Sequence, residues 1–225
     1  RKVKYNENIV GILIINPNNP TGVVHPRADL IEVVRIAREN KCFLIFDEIY
    51  QNIVFDRSKI TRLSDIVGDV PAISMKGISK EIPWPGARCG WIEVYNADKD
   101  ESFRAYIHSI LVSKMLEVCS TTLPQVIFPS IVKHTEYQTF FQARIDKYEK
   151  RRDQALAIFA KTKYLNPLSP EGVFYLTVPF SEMTKFMTPK HLESKTKEIR
   201  LYLDSVETDS MRRDKRFAYE LMGSE

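Results

Sequence analysis

Residues 9–15, IVGILII, form an unbroken apolar run, the pattern of a strand covered on both faces. NPNNPTG at 16–22 stops it with two prolines and a glycine. Pro26 then opens a predicted helix to about Asn40, with Leu30, Val33, Val34 and Ala37 on one face. A second apolar run, 42–46, ends in Asp47-Glu48-Ile49-Tyr50, and a third, 72–75, leads into GISKEIPWPGARCG at 77–90. Strand, helix and strand in series predict a parallel sheet with right-handed crossovers. The alternation in residues 91–95, WIEVY, fits an antiparallel edge strand.

Beyond residue 100 the pattern turns helical. Phe103, Ile107, Ile110 and Leu111 mark one helix, and 121–132 a second that Pro124 and Pro129 disturb. Residues 136–161 read as a long amphipathic helix carrying Phe140, Ile145, Tyr148, Leu156 and Phe159. At 1.5 Å per residue it would span about 40 Å, enough to bridge two domains. Residues 172–178 read as a strand, 181–209 are polar and poorly patterned, and 210–222 form a last predicted helix. There is no internal repeat and no low-complexity tract.

Composition narrows the function classes. With 44% hydrophobic and 11% aromatic residues, a packed core is expected. The formal charge of +4 sets 33 basic residues against 29 acidic ones, interspersed as in RIDKYEK at 144–150. That describes a solvated helix face and argues against a nucleic-acid stripe. Cys42, Cys89 and Cys119 form no CxxC and no even framework, which points to reduced thiols in a cytosolic protein. His25, His108, His134 and His191 show no metal-ligand spacing, so no metal is expected. No apolar run approaches the roughly 18 residues of a membrane span. The chain opens on Arg-Lys-Val-Lys-Tyr and meets a strand within ten residues, and it is read as a fragment of something longer.

In open parallel sheets a ligand lies outside the carboxyl ends of the strands. Asn19, Asp47, Tyr50 and Lys80 each follow such an end and can converge on one crevice. Lys80, flanked by Gly77, Ser79 and Gly86, lies on an expected irregular connection between two strands. Arg88, eight residues later, joins them only if residues 90–95 run antiparallel.

The ordered set NPNNPTG, DEIY, SK with an arginine eight residues on, and PEGVFY resembles the class I/II aminotransferases over about residues 8–178. The resemblance is to the alanine/aspartate aminotransferase-like branch. It implies an α/β fold of fold-type I, a mainly parallel sheet with flanking helices plus a smaller α+β C-terminal domain, both incomplete here. Residues 1–146 would be part of the large cofactor-binding domain and 147–225 part of the small one. The implied cofactor is pyridoxal 5′-phosphate, joined to Lys80 as a Schiff base. Displaced by substrate, Lys80 would become the base that moves the α-proton. Asp47 would pair with the protonated ring nitrogen; taken alone it could equally be a helix N-cap. Tyr50 and Asn19 would donate to the ring phenolate, the plain alternatives being a core hydroxyl and a turn amide. Arg88 would fork onto the cofactor phosphate, Ser79 adding a hydroxyl, the alternative for Arg88 being a surface salt bridge.

The chain departs from the family pattern at several points. Pro83, Trp84 and Pro85 stiffen the loop after the lysine, Cys89 stands where an aliphatic residue is usual, and Gly77 stands where many relatives have a phosphate-binding serine. The family's phosphate loop and ring-stacking aromatic would precede residue 1, and nothing after PEGVFY matches the motif of its substrate-carboxylate arginine. The resemblance implies amino acid and 2-oxo acid substrates, a cytosolic homodimer, and neither nucleic-acid nor membrane partners. A lyase or decarboxylase using the same cofactor, or a cofactor-sensing regulatory domain, is the alternative. Residues 1–225 alone are expected to be inactive and to bind cofactor weakly.

Overall fold

The structure, a computed structural model, describes residues 8–162 and 165–179, with five isolated positions between 198 and 215. Apart from residue 215 the predicted helix at 210–222 lies outside the described residues, as does most of the polar stretch at 181–209. The chain divides into two compact units, Arg1–Ala155 with Ser169–Thr177, and Leu156–Leu168 with Val178–Glu225.

The first unit is built on a four-stranded sheet of order β1-β2-β3-β4: β1 (Gly11–Ile15), β2 (Phe43–Asp47), β3 (Ala72–Gly77) and β4 (Gly90–Tyr95). The first three strands are parallel, with Ile15, Asp47 and Met75 level at their carboxyl ends. β4 runs antiparallel to β3, and its register sets Gly90 beside Gly77. The edge strand expected from alternation is therefore present, in the orientation that returns Arg88 to the carboxyl end of β3.

The period-two pattern sorts the strands between two cores. Leu44, Phe46 and Ala72 pack with Leu30, Val34 and Ala37 of α1 (Arg27–Glu39) and with Leu63, Val67 and Val70 of the following connection. On the opposite face Ile73 meets Phe103 and Ile107 of α3 (Glu101–Lys114), with Phe43 and Met75 against them. β1 departs from its prediction of cover on both faces. Ile12 and Ile14 join the α1 core, but Leu13 is 58% exposed, because α3 packs on β2 and β3.

A buried ionic network ties the ends of β2 and β3. Glu48, 3% exposed, accepts from the Leu63 amide (2.8 Å) and from the Ser74 hydroxyl (2.5 Å). Lys76 lies 3.6 Å from Glu48 and 2.8 Å from Glu93, which also accepts from the Tyr95 hydroxyl (2.7 Å). A buried carboxylate is tolerated only with such partners.

Both predicted helices beyond α3 are present, α4 (Thr122–Lys133) and α5 (Tyr137–Phe159). Pro124 sits in the first turn of α4, where no intrahelical donor is lost, and Pro129 is accommodated inside it. On α5 the expected Ile145 is buried and Tyr148 packs beside it, while Phe140 is 52% exposed and Phe141, four residues before Ile145, takes its place. Among the described residues no helix is long and apolar enough to cross a membrane. In the second unit the end of α5 is closed by the Ala160 amide on the Leu156 carbonyl (2.9 Å) and the Thr162 amide on Phe159 (2.8 Å).

The strand predicted at 172–178 is not formed. Gly172 makes an isolated antiparallel bridge to Val54, and Val173 adopts a positive φ of 59°, which breaks the extended run. The segment is nevertheless fixed: the Val173 amide donates to Ile53 (2.8 Å) and the Phe55 amide to Glu171 (3.0 Å). A Cβ on Gly172 would stand 2.5 Å from the Ile53 carbonyl oxygen. Gly172→Ala is therefore expected to destabilise the whole protein by about 1–3 kcal/mol, the usual range for overpacking. A thermal melt of the variant unchanged from the parent would contradict this packing.

Candidate active site

Three connections meet beyond the carboxyl ends of β1, β2 and β3. The first, 16–22, is organised by its own asparagines. Asn16 is buried, accepting from the His25 amide (2.9 Å), and Asn18 accepts from the Thr21 amide (3.3 Å) and hydroxyl (2.7 Å). Those bonds hold the loop, and Gly22, at φ 73°, supplies the left-handed residue it needs. Asn19 is the asparagine left for other work, exposed at the turn and hydrogen-bonded to the Tyr50 side chain.

Asp47 ends β2, and its Oδ1 accepts from the Ile49 amide (3.1 Å) within a turn; no helix starts there, so the alternative reading as a helix N-cap does not apply. The turn it starts delivers Tyr50, 3% exposed, with its hydroxyl 2.7 Å from that of Tyr175. Burial foremost, then the bond to Tyr175 and the negative charge of Asp47, raises the Tyr50 phenol well above its ordinary range, while the Asn19 bond opposes the rise. Tyr50 is therefore a neutral hydroxyl at any physiological pH.

Lys80 lies on a one-turn helix, α2 (Ile78–Glu81), that follows β3 directly, where the sequence suggested an irregular connection. Ile78 anchors this turn in the core at 1% exposure. From α5 the Arg144 guanidinium donates to the carbonyls of Lys80 (3.1 Å) and Glu81, and to the Tyr148 hydroxyl (3.2 Å). Those carbonyls are the ones a helix end leaves open. The Glu81 side chain takes the Asn52 amide (2.8 Å) and side-chain nitrogen (2.9 Å), and its burial raises its carboxyl pKa against those bonds.

The Lys80 Nζ is 5.8 Å from the centroid of the Tyr50 ring and 6.0 Å from that of Phe174. Among the described residues it has no carboxylate within ion-pair distance, whereas Lys76, four residues earlier, is held between Glu48 and Glu93. Of these two lysines only Lys80 is free for chemistry.

The other expected residues are placed less fully. Ser79 is half-buried on α2, beside Lys80. Arg88 is exposed in the left-handed conformation, φ 48°, and its Nη1 donates to the Pro85 carbonyl of its own loop (2.8 Å). It therefore lies at the right end of the sheet without touching Lys80, Asp47 or Tyr50 in the described contacts. A serine at position 77 would meet the Cys89 carbonyl 3.0 Å from its Cβ, so glycine there matches the close approach of β4.

Sequence reasoning missed Phe174, Tyr175, Tyr148 and Arg144 as parts of this site. PEGVFY is one of the motifs that carry the resemblance, but its aromatics read from the sequence as part of a strand. Arg144 had a legible signal: with Phe141, Ile145 and Tyr148 it falls on one helix face, and an arginine on an apolar stripe needs acceptors. A cleft of about 960 Å³ lies elsewhere, lined by Arg38, Lys41, Phe43, Phe103 and Tyr106 at the opposite ends of the strands. Among the described residues no cluster of His, Cys, Asp or Glu could hold a metal ion.

A mostly parallel sheet flanked by helices, with a lysine just beyond the third strand, is the architecture of fold-type I transferases. The chain belongs to the class I and II aminotransferase family, whose pattern it matches over residues 2–205. It is 42% identical over 228 aligned positions to an uncharacterised aminotransferase of Methanocaldococcus jannaschii, covering 100% of this chain and 51% of that protein. It is 27% identical to a glutamate-pyruvate aminotransferase of Haemophilus influenzae, over 82% of this chain and 45% of that protein. Among solved structures, an alanine aminotransferase of Pyrococcus furiosus matches with a TM-score of 0.70 at 25% identity, over 82% of this chain and 47% of the other. The chain spans about half the length of the curated relatives it matches.

Proposed function

We propose that the whole protein transfers an amino group from an amino acid to a 2-oxo acid, using pyridoxal 5′-phosphate held at Lys80. The observation that carries this reading is the contrast between two lysines: Lys76 is locked between two carboxylates, while Lys80, without an ion pair among the described residues, presents its amine to Tyr50 and Phe174. Residues 1–146 would then form part of a large cofactor domain and 147–225 part of a smaller one, in a cytosolic homodimer.

The residues present fit the group. Lys80 offers an amine, Asp47 a carboxylate at the end of the central strand, and Tyr50 and Asn19 a neutral hydroxyl and an amide side by side. Bound there, the cofactor would supply an aldehyde that condenses with amines and a ring that takes up electrons released at the substrate Cα. Lys80 Nζ would bind it, and after exchange with substrate the freed amine would take the proton from Cα and return it elsewhere. Asp47 would hold a proton on the ring nitrogen. Tyr50 and Asn19 would orient the ring by donating to its oxygen, and Arg88 and Ser79 would meet the phosphate.

Comparison with the Haemophilus relative puts alanine and glutamate first among donors to test. The experiment incubates the whole protein and pyridoxal phosphate with ¹⁵N-labelled amino acids and a panel of 2-oxo acids. Label appearing in a new amino acid is the expected result. Release of ammonia or carbon dioxide without transfer would replace the reading with a lyase or decarboxylase.

A further inference from the structure

The hydroxyls of Tyr50 and Tyr175 lie 2.7 Å apart, joining residues 125 positions apart in the chain. The Tyr50 ring is enclosed, and the half-buried Tyr175 ring is packed against it. Tyr50 is 3% exposed and edge-on to Phe174 and Tyr175, at 5.7 and 5.8 Å between centroids. Tyr175 packs on Phe174 at 4.8 Å, and its backbone follows directly from the Gly172 bridge and the Val173 bond to Ile53.

We propose that Tyr175 is a positioning residue for Tyr50, its hydroxyl donating to the Tyr50 oxygen so that the single Tyr50 proton is directed at the cofactor ring. This rests on the reading above that the cofactor binds at Lys80. A phenol hydroxyl has one proton to give and two lone pairs to receive. The Asn19 amide is available to one lone pair and Tyr175 to the other. Either hydroxyl can be the donor in the pair as it stands, and the raised Tyr50 phenol corresponds to Tyr50 giving its proton to Tyr175, the order that a ring acceptor reverses. A ring oxygen bearing negative charge, set against Tyr50, can only accept, and that fixes the order Tyr175 to Tyr50 to ring. A hydroxyl that receives a hydrogen bond is polarised and donates more strongly. Tyr175 thus strengthens a contact that it does not itself make, and it links the segment 169–177 to the chemistry.

The whole protein, loaded with pyridoxal phosphate, is titrated with pH while the visible absorbance of the cofactor is followed, for the parent, Tyr50→Phe, Tyr175→Phe and the double variant. A donor to the ring oxygen draws charge from the proton beside it and lowers the pH at which that proton leaves. Tyr50→Phe is expected to raise the midpoint. Tyr175→Phe, which keeps the ring packing, is expected to raise it by roughly 0.3–1 unit, the scale of a hydrogen bond weakened at one remove. The double variant is expected to match Tyr50→Phe, since Tyr175 has nothing to act through once the first hydroxyl is gone. A Tyr175→Phe midpoint equal to the parent's, with Tyr50→Phe raised, would overturn the role of Tyr175 and leave that of Tyr50 standing. An equal rise from Tyr175→Phe in the Tyr50→Phe background would also overturn it. A parent that takes up no cofactor, or a midpoint unmoved by Tyr50→Phe, would instead remove the reading on which it rests.

Discussion

Lys80→Ala in the whole protein is expected to abolish measurable amino-group transfer while leaving the fold intact. The side chain is half-buried and makes no ion pair among the described residues, so its loss removes little packing and leaves no buried partner stranded. The α2 turn is held instead by Ile78 in the core and by Arg144 on the Lys80 and Glu81 carbonyls, contacts the variant keeps. Positioned proton transfer alone is worth about 10²–10⁴-fold, and the lost attachment of the cofactor adds to it. Added methylamine is expected to restore part of the rate if only the amine is missing. A variant that transfers within tenfold of the parent would show that Lys80 does not carry the reaction.

Asp47→Ala is expected to be the next most damaging change, lowering the rate by roughly 10²–10³-fold, as when one preorganised charge is removed from an active site. The carboxylate stands at the end of the central parallel strand, level with Ile15 and Met75, and its field reaches Tyr50. Its only described structural bond is to the Ile49 amide, which Asn could also accept. Asp47→Asn therefore separates the two roles: it keeps the turn and is expected to lose nearly as much rate as alanine. Recovery of the parent rate in Asp47→Asn would reduce Asp47 to a turn residue.

The sheet was legible because its strands obey simple periods. Three apolar runs gave three parallel strands, and the alternation of residues 91–95 gave the antiparallel one. What patterning could not resolve was the extent of cover, since Leu13 belongs to an apolar run yet has no helix opposite it among the described residues. The same limit misassigned residues 172–178. Their β-forming side chains suggested a strand, but one positive φ at Val173 turns the chain and aims Phe174 and Tyr175 at Lys80 and Tyr50. Asn19, Asp47, Tyr50 and Lys80 could be placed at one end of the sheet because each follows a strand end, a rule of topology that needs no side-chain detail. Arg144 and Tyr175 were not, because they reach the site from distant parts of the chain through contacts with no sequence spacing.

The most direct test of the site is chemical. The cofactor-loaded whole protein is reduced with borohydride, digested, and the pyridoxyl group located to a single residue by mass spectrometry. The account predicts the label on Lys80, whose amine has no carboxylate partner among the described residues; label on Lys76, between Glu48 and Glu93, would contradict it.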